Sequence, residues 1–266
     1  MSLLFRLSGK NPAKPEVANG NSSPNFLRDV DSIHDDRFGS VLRCKPTQLL
    51  AYWAPGNIYA ERGSLSFFWR SREELGETEF PLFRVSFADH SSWDALFIRI
   101  DYNGSGIDAF VTDINLSRLR ISYSFPAIPD KDDWTHILFS WDENSGVTLY
   151  INGEKAGEIK QKALLYSALD QFGTHSRIIS NAQVQSSYNY MRTGDFAEIR
   201  IYDRAVTDKE AKAIAENRDI DVPSIPDRTL SEIKDEWFDR YGFDEDAKPY
   251  FLSQRMNIIR KVEIHD

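Results

Sequence analysis

The chain has 266 residues and a formal net charge of −9, with 41% hydrophobic and 13% aromatic side chains. That length and apolar content suffice for a large core, and one big domain with an appendage fits better than two equal domains. The negative charge is spread out with no basic stripe, which argues against nucleic acid and anionic membranes as partners, and no run of 18 apolar residues could span a bilayer.

Residues 3–9 read as a first strand, and 10–38, with Asn-Pro, Lys-Pro, Asn-Gly and Ser-Pro steps, as a long surface loop. From 39 to 202 strand and turn alternate. Strands are expected at 39–44, 47–53, 63–71, 80–87, 94–103, 106–112, 117–124, 134–141, 146–152, 155–160, 175–181 and 194–202. The single cysteine, Cys44, falls on a strand and is expected to be a buried, inert thiol. The clearest unit is the hairpin at 134–157. Trp134, His136, Leu138 and Ser140 take one side of WTHILFSW and Thr135, Ile137, Phe139 and Trp141 the other; DENSG reverses the chain and VTLYING returns. Trp69, Trp134 and Trp141 are expected in the core. Thr207 or Asp208 is expected to cap a helix, with Glu210 in its first turn. Past Asn217, RDIDVPSIPDR reads as a linker. Residues 229–241 read as an amphipathic helix carrying Leu230, Ile233, Trp237 and Tyr241, stopped by Gly242. The chain thus divides into a β-sandwich at 1–217 and a linker, helix and extension at 218–266, which packs on the sandwich or starts a further module.

Five motifs in order carry a family resemblance over roughly residues 3–217. LLFRLSG and FGSVLRC resemble opening strands of laminin-G-like, concanavalin-A-like lectin/glucanase domains, and GSLSFFWRS is similar to their "sISFWVKS" strand. WTHILFSW with VTLYING resembles their central hairpin, and GDFAEIRIYDRAVTDKEAKAI their closing strand and helix. In that last motif Ala197 stands where the family shows Asp, while Glu198 is retained. The resemblance implies an all-β, antiparallel jelly-roll β-sandwich, here with a helical C-terminal extension. It leaves function open, because one fold hosts many sites.

Catalysis is weakly represented. A retaining glucanase needs two carboxylates about 5 Å apart on one face, whereas Asp142 and Glu143 are adjacent in a turn and point apart. The cluster Gln183, Gln185, Tyr188, Tyr190 and Arg192 resembles the residue types of alginate-lyase-like sites but lacks their motifs. The five histidines are scattered, and His136, inside a strand, is expected to be structural. No phosphate loop or Gly-x-Ser-x-Gly elbow is present.

Sugar recognition pairs an aromatic ring with planar amides, carboxylates or arginine. Three loops mix these types: Tyr52, Trp53, Asn57, Tyr59 and Arg62 in 50–63; Asp89, His90, Trp93 and Asp94 in 87–94; and Gln185, Tyr188, Asn189, Tyr190 and Arg192 in 181–193. The resemblance also brings in calcium, for which Asp101, Asn103 and Asp108, about a Gly-rich turn, or Asp89 with Asp94, would supply oxygens. The expected function is a non-catalytic carbohydrate-binding module for a polysaccharide or glycan, with no certain cofactor. It would belong to a larger extracellular or cell-surface protein with a linked catalytic domain; MSLLFRLSGK lacks the features of a signal peptide, so this expectation takes the sequence as a mature form or an excised segment. The alternatives are a glycan-cleaving enzyme using Tyr188, Tyr190 and Arg192 or a carboxylate pair, and a structural or adhesive protein-interaction domain. The hairpin belongs to the scaffold, which moves the search for the site to the three loops.

Overall fold

The computed structural model describes residues 3–54, 56–86, 96–113, 117–163, 165, 177–178 and 194–220. Among them the strands, in chain order, are β1 Leu3–Leu7, β2 Val17–Ala18, β3 Pro24–Asp35, β4 Gly39–Trp53, β5 Arg62–Ser71, β6 Phe80–Ser86 and β7 Leu96–Tyr102. There follow β8 Gly106–Thr112, β9 Arg118–Ser124, β10 Thr135–Asp142, β11 Gly146–Ile151, β12 Glu154–Ile159, β13 Arg177–Ile178, β14 Gly194–Tyr202 and the helix α1 Asp208–Ala215. All pairing is antiparallel, in the order β12-β11-β10-β5-β14-β4-β13-β6-β7-β8-β9, with β1 beside β14 and β3 beside β4.

The path folds over so that its halves face each other as a jelly-roll sandwich. Alternation drives this. On β10, Ile137, Phe139 and Trp141 point inward with their cross-strand partners Ile151, Leu149 and Val147 on β11 and Phe67 and Leu65 on β5. The opposite layer meets them directly: Phe67 stacks on Phe83 with ring centroids 5.7 Å apart, and Phe97 packs edge-on to Trp141 at 6.3 Å. At the far edge Gly157 of β12 lies against Ile121 of β9, where any side chain at 157 would collide. The long strand β4 joins the layers, pairing with β14 at Leu42–Cys44 and with β13 at Tyr52–Trp53.

Two expectations change here. Residues 39–44 and 47–53 form one strand, and the stretch read as a surface loop contains the twelve-residue β3. PNFLRDVDSIHD hides its strand character because β3 is an edge strand with few buried side chains, Val30 and Asp35 among them. A bulge between Arg28 and Val30, where Asp29 has φ +54°, further breaks the alternation.

The outer face of the β10–β5–β14 layer is also largely covered. On one side α1 brings Val206, Ala211 and Ile214 over Leu138, Tyr150 and Tyr202; on the other, Ile33, Phe38 and Trp134 pack on Val41, Phe68 and Ala197. Trp134 is therefore an outer-face residue, with the Arg70 guanidinium 4.4 Å above its ring, whereas Trp69 and Trp141 are interior. Cys44 is buried, which pushes its thiol above the ordinary range. Helix α1 begins with a capping box, Thr207 accepting from the Glu210 amide and the Glu210 carboxylate accepting from the Thr207 amide at 2.7 Å. Thr207→Ala is expected to cost about 1 kcal/mol in urea unfolding. A neutral substitution would show that α1 is held by packing alone. The helix expected at 229–241 lies outside the described residues.

Candidate functional site

One end of the sandwich gathers several of the chain reversals. The β10–β11 turn is there, and the start of β5 joins it because Asp142 pairs with Arg62. The end of β14 is fixed at this end by the pairing of Tyr202 with Ser64. Phe97 against Trp141 brings in the start of β7, and Arg177 pairs with both Trp53 and Ser86. Residues 56–61 therefore lie at this end, as do Ser86 and Leu96, the described residues on either side of 87–95. Of the residues on either side of 179–193, Gly194 lies opposite Ser71 and Cys44, away from this end. The three loops singled out by composition thus have anchors at two ends of the sandwich.

Two of the expected ligand residues are interior. Tyr52 is fully buried, its ring 5.0 Å from Phe5 and its hydroxyl donating to the Pro12 carbonyl at 2.6 Å, so no ring face is left for a sugar. Asn57 is likewise buried and spends its amide as a staple. Its Nδ2 donates to the carbonyls of Asn21 and Trp53 at 3.0 and 2.9 Å, and its Oδ1 accepts from Gly20 N at 2.8 Å. Trp53, Tyr59 and Arg62 are half-buried at the crowded end. The Tyr59 carbonyl accepts from Trp141 Nε1 at 3.2 Å, and Arg62 Nε donates to the Asp203 carbonyl at 3.2 Å. His90, Trp93, Gln185, Tyr188, Tyr190 and Arg192 lie outside the described residues.

The trio proposed for calcium does not fit a hard cation. Asp101 and Asp108 are cross-strand partners on β7 and β8, but each carboxylate already faces an arginine, Arg99 Nε at 2.7 Å from Asp101 and Arg120 on Asp108. Asn103 turns its amide nitrogen, not its oxygen, to Asp108 at 2.9 Å. Burial pushes Asp101 up to about 6 in spite of Arg99, a preference for the neutral acid that is the reverse of a calcium ligand's. Burial acts upward on Asp108 too, but hydrogen bonds from Asn103, Arg120 and Ser122 hold it below the ordinary range.

Charge elsewhere serves the scaffold. Asp195 is fully buried on the outer face and accepts from Arg43 at 2.8 and 2.9 Å and from Arg70 at 2.8 Å. Glu198, at φ +50°, accepts from Arg6 at 3.0 Å and Arg200 at 2.8 Å. The acidic position of the closing motif is thus structural. Ser66 Oγ and His136 Nε2 are 2.9 Å apart, yet both side chains are buried beyond reach of a substrate. Burial, with Arg200 and Arg37 nearby, pushes His136 down to about 3, so the ring is neutral.

Among the described residues an open concave feature, a groove of about 350 Å³, lies on the outer face at the crowded end. Its floor follows from register: Glu158, Thr148, Ser140 and Ser64 are successive cross-strand partners on β12, β11, β10 and β5. Ser64 bonds Ser140 at 2.8 Å and the Arg204 carbonyl at 2.7 Å, which closes that end of the row beneath Ala205. The near wall is the β10–β11 turn, where Asp142 Oδ1 accepts from the amides of Asn144 and Ser145, both at 2.9 Å, and fixes their side chains at the rim. Gly146, at φ +99°, lets the backbone of Ile159–Gln161 pass where a Cβ would sit 1.9 Å from the Ile159 carbonyl oxygen. That close passage brings Lys160, Gln161 and Lys162 up as the far wall. Composition alone missed this groove. The detectable signal was the alternation that puts Ser140 and Thr148 on one face of the hairpin.

Fold and groove together define an antiparallel jelly-roll β-sandwich with a polar surface cleft. A profile described as the concanavalin A-like lectin/glucanases superfamily, of laminin-G type, matches residues 58–212, more than half of the chain, and the chain belongs to this superfamily. No curated protein matches it in sequence. Among solved structures it is similar to the binding domain of Paraclostridial mosquitocidal protein 1, at 16% identity and TM-score 0.60, over 81% of this chain and 52% of that one. The receptor-binding domain of botulinum neurotoxin type G is similar at 14% identity and TM-score 0.60, over 82% and 51%. The serotype D ligand-binding domain in complex with N-acetylneuraminic acid is similar at 13% identity and TM-score 0.58, over 81% and 51%. At such identities the likeness is one of fold, and the chain spans about half the length of these domains.

Proposed function

We propose that the chain is a non-catalytic carbohydrate-binding module and that the groove over β10–β12 is its ligand site. The observation that carries this reading is the character of the groove: hydroxyls on its floor, amides on its rim and lysines on its wall, all polar groups suited to paired sugar hydroxyls. Trp53, Tyr59 and Arg62, and the anchors of the segment carrying His90 and Trp93, belong to the same end and would extend the site. The structural neighbours are support of the same kind, being receptor- or ligand-binding domains by description, one of them in complex with a sugar acid. The module would work within a larger extracellular or surface protein, with a catalytic domain as a linked partner. Among the described residues no helix is long and apolar enough to cross a membrane.

The test is retention of the purified chain on immobilised polysaccharides and a glycan array. Thr148→Leu removes a hydroxyl from a half-exposed floor position and narrows the groove, and it is expected to weaken binding about tenfold with folding unchanged. Binding indifferent to this substitution would remove the groove from the account, and release of reducing ends or unsaturated products would replace the reading with the enzymatic one. A second reading, assembly through a protein interface, draws on Phe26 and Leu27, 43% and 41% exposed on edge strand β3. Concentration-dependent mass in solution without sugar binding would favour it.

A further inference from the structure

We propose that the groove selects acidic saccharides, those bearing carboxylate or sulfate groups, and that Lys162 holds the acid; this rests on the glycan-binding reading above. The lining contains no aromatic ring. A neutral pyranose is ordinarily held by a ring stacked on its apolar face, with hydrogen bonds supplying orientation. Trp53 and Tyr59 lie outside this lining, so a sugar unit seated in the groove itself must be held by polar contacts, and the strongest of these are charge-assisted.

The distribution of charge fixes the sign. Glu158 on β12, and Lys160 and Lys162 just beyond its end, all line the groove. Glu158 is engaged twice, by Lys155 Nζ at 3.6 Å and Lys160 Nζ at 3.2 Å. Lys155 is shared further with Asp208 at 3.2 Å. The groove's carboxylate is therefore neutralised from within the fold. Lys162 is exposed on the same wall and makes no ion pair among the described residues. Its ammonium is the charge left over, and Gln161, Asn144 and Thr148 offer neutral hydrogen bonds to the rest of a sugar residue. The protein as a whole is acidic, at −9, so attraction for an anion is local to this wall. Screening confines it to about 8 Å at physiological ionic strength, which covers one or two sugar units. Recognition is accordingly of an acid at one position in a chain, with the polymer's overall charge a minor factor.

The experiment is calorimetric titration of the full chain with three oligosaccharides of equal length: oligogalacturonate for carboxylate, a carrageenan-derived sulfated galactan oligosaccharide, which carries no carboxylate, for sulfate, and a malto-oligosaccharide as the neutral probe. At least one acidic probe is expected to bind about tenfold or more tightly than the neutral one. Lys162→Gln should erase that preference and Lys162→Glu should abolish acidic binding, while neutral binding, which loses only a contact from the ammonium to an uncharged group, should fall by much less. Lys160→Gln should also weaken acidic binding, because it frees Glu158 toward the groove. Which acidic probe responds assigns carboxylate or sulfate. If the neutral probe binds as tightly as the acidic ones, or Lys162→Glu leaves acidic binding intact, the inference is wrong while the glycan-binding reading stands. If none of the probes, and nothing on the glycan array, is bound by the unmodified chain, the glycan-binding reading itself is lost.

Discussion

Asp195→Ala is expected to cost about 3–5 kcal/mol, the range for removing one partner of a buried ion pair. Asp195 is fully buried between two strands that each present an arginine directly opposite it, Arg43 on β4 and Arg70 on β5. Its carboxylate takes three hydrogen bonds from them. Without it, two guanidinium groups would face each other across β14. Arg70 keeps Asp35 at 3.0 Å and the Trp134 ring, and the Arg43 side chain is 30% exposed, so both retain part of their compensation and the lower end of the range applies. Arg43→Ala should cost much less, about 1 kcal/mol, because it leaves Asp195 paired with Arg70. Urea unfolding of the two variants checks the ordering. A loss below about 1 kcal/mol for Asp195→Ala would mean that water replaces the carboxylate at the β4–β14–β5 junction, and would contradict its burial.

How far the sequence spoke for itself can be traced residue by residue. The alternation in WTHILFSW and VTLYI survives in the structure as β10 and β11, because one set of side chains enters the core and the other meets α1 or the groove. The closing motif became β14 and the capped helix, with Thr207 as the cap. Edge strand β3 was illegible, since a strand with few buried side chains shows no hydrophobic period. Tyr52 and Asn57 were misread for a different reason. A polar, aromatic, turn-like stretch looks the same whether its side chains face solvent or staple one loop to another, and only the Pro12, Asn21 and Gly20 contacts decide. Asp101 and Asp108 have the composition of a cation site. Their arginines come from two residues back on β7 and from the neighbouring β9, a pairing set by register that spacing in the chain does not reveal. The groove was hidden similarly, because Thr148 and Lys162 are brought together by the course of the backbone past Gly146.

Between pH 6 and pH 4 the stability of the chain is expected to change little on account of His136 and Asp101, two buried groups that titrate about this window, because they act in opposite directions. His136 has its folded pKa depressed to about 3 by burial and by Arg200 and Arg37, against about 6.5 when unfolded. The unfolded chain therefore binds the extra proton, and stability present above pH 6.5 is lost as pH falls toward 3, on the order of 2–3 kcal/mol by pH 4.5. Asp101 is the reverse case. Burial raises it to about 6, Asp108 and Glu79 add to this, and Arg99 opposes it, so the folded chain binds the proton first. Its contribution is full below the unfolded value of about 3.9 and is lost as pH rises through 6, again on the order of 2–3 kcal/mol over the window. Asp101→Asn removes the second contribution and leaves the first. The variant should be more stable than the unmodified chain at pH 7.5 and should then lose more stability than the unmodified chain between pH 6.5 and pH 4. Urea unfolding at half-unit pH intervals measures this directly, and NMR of the His136 ring should show it neutral down to pH 4. Parallel stability profiles for the two proteins between pH 4 and 6 would show that Asp101 is solvated in the native state, and an imidazole that titrates near pH 6 would show the same for His136.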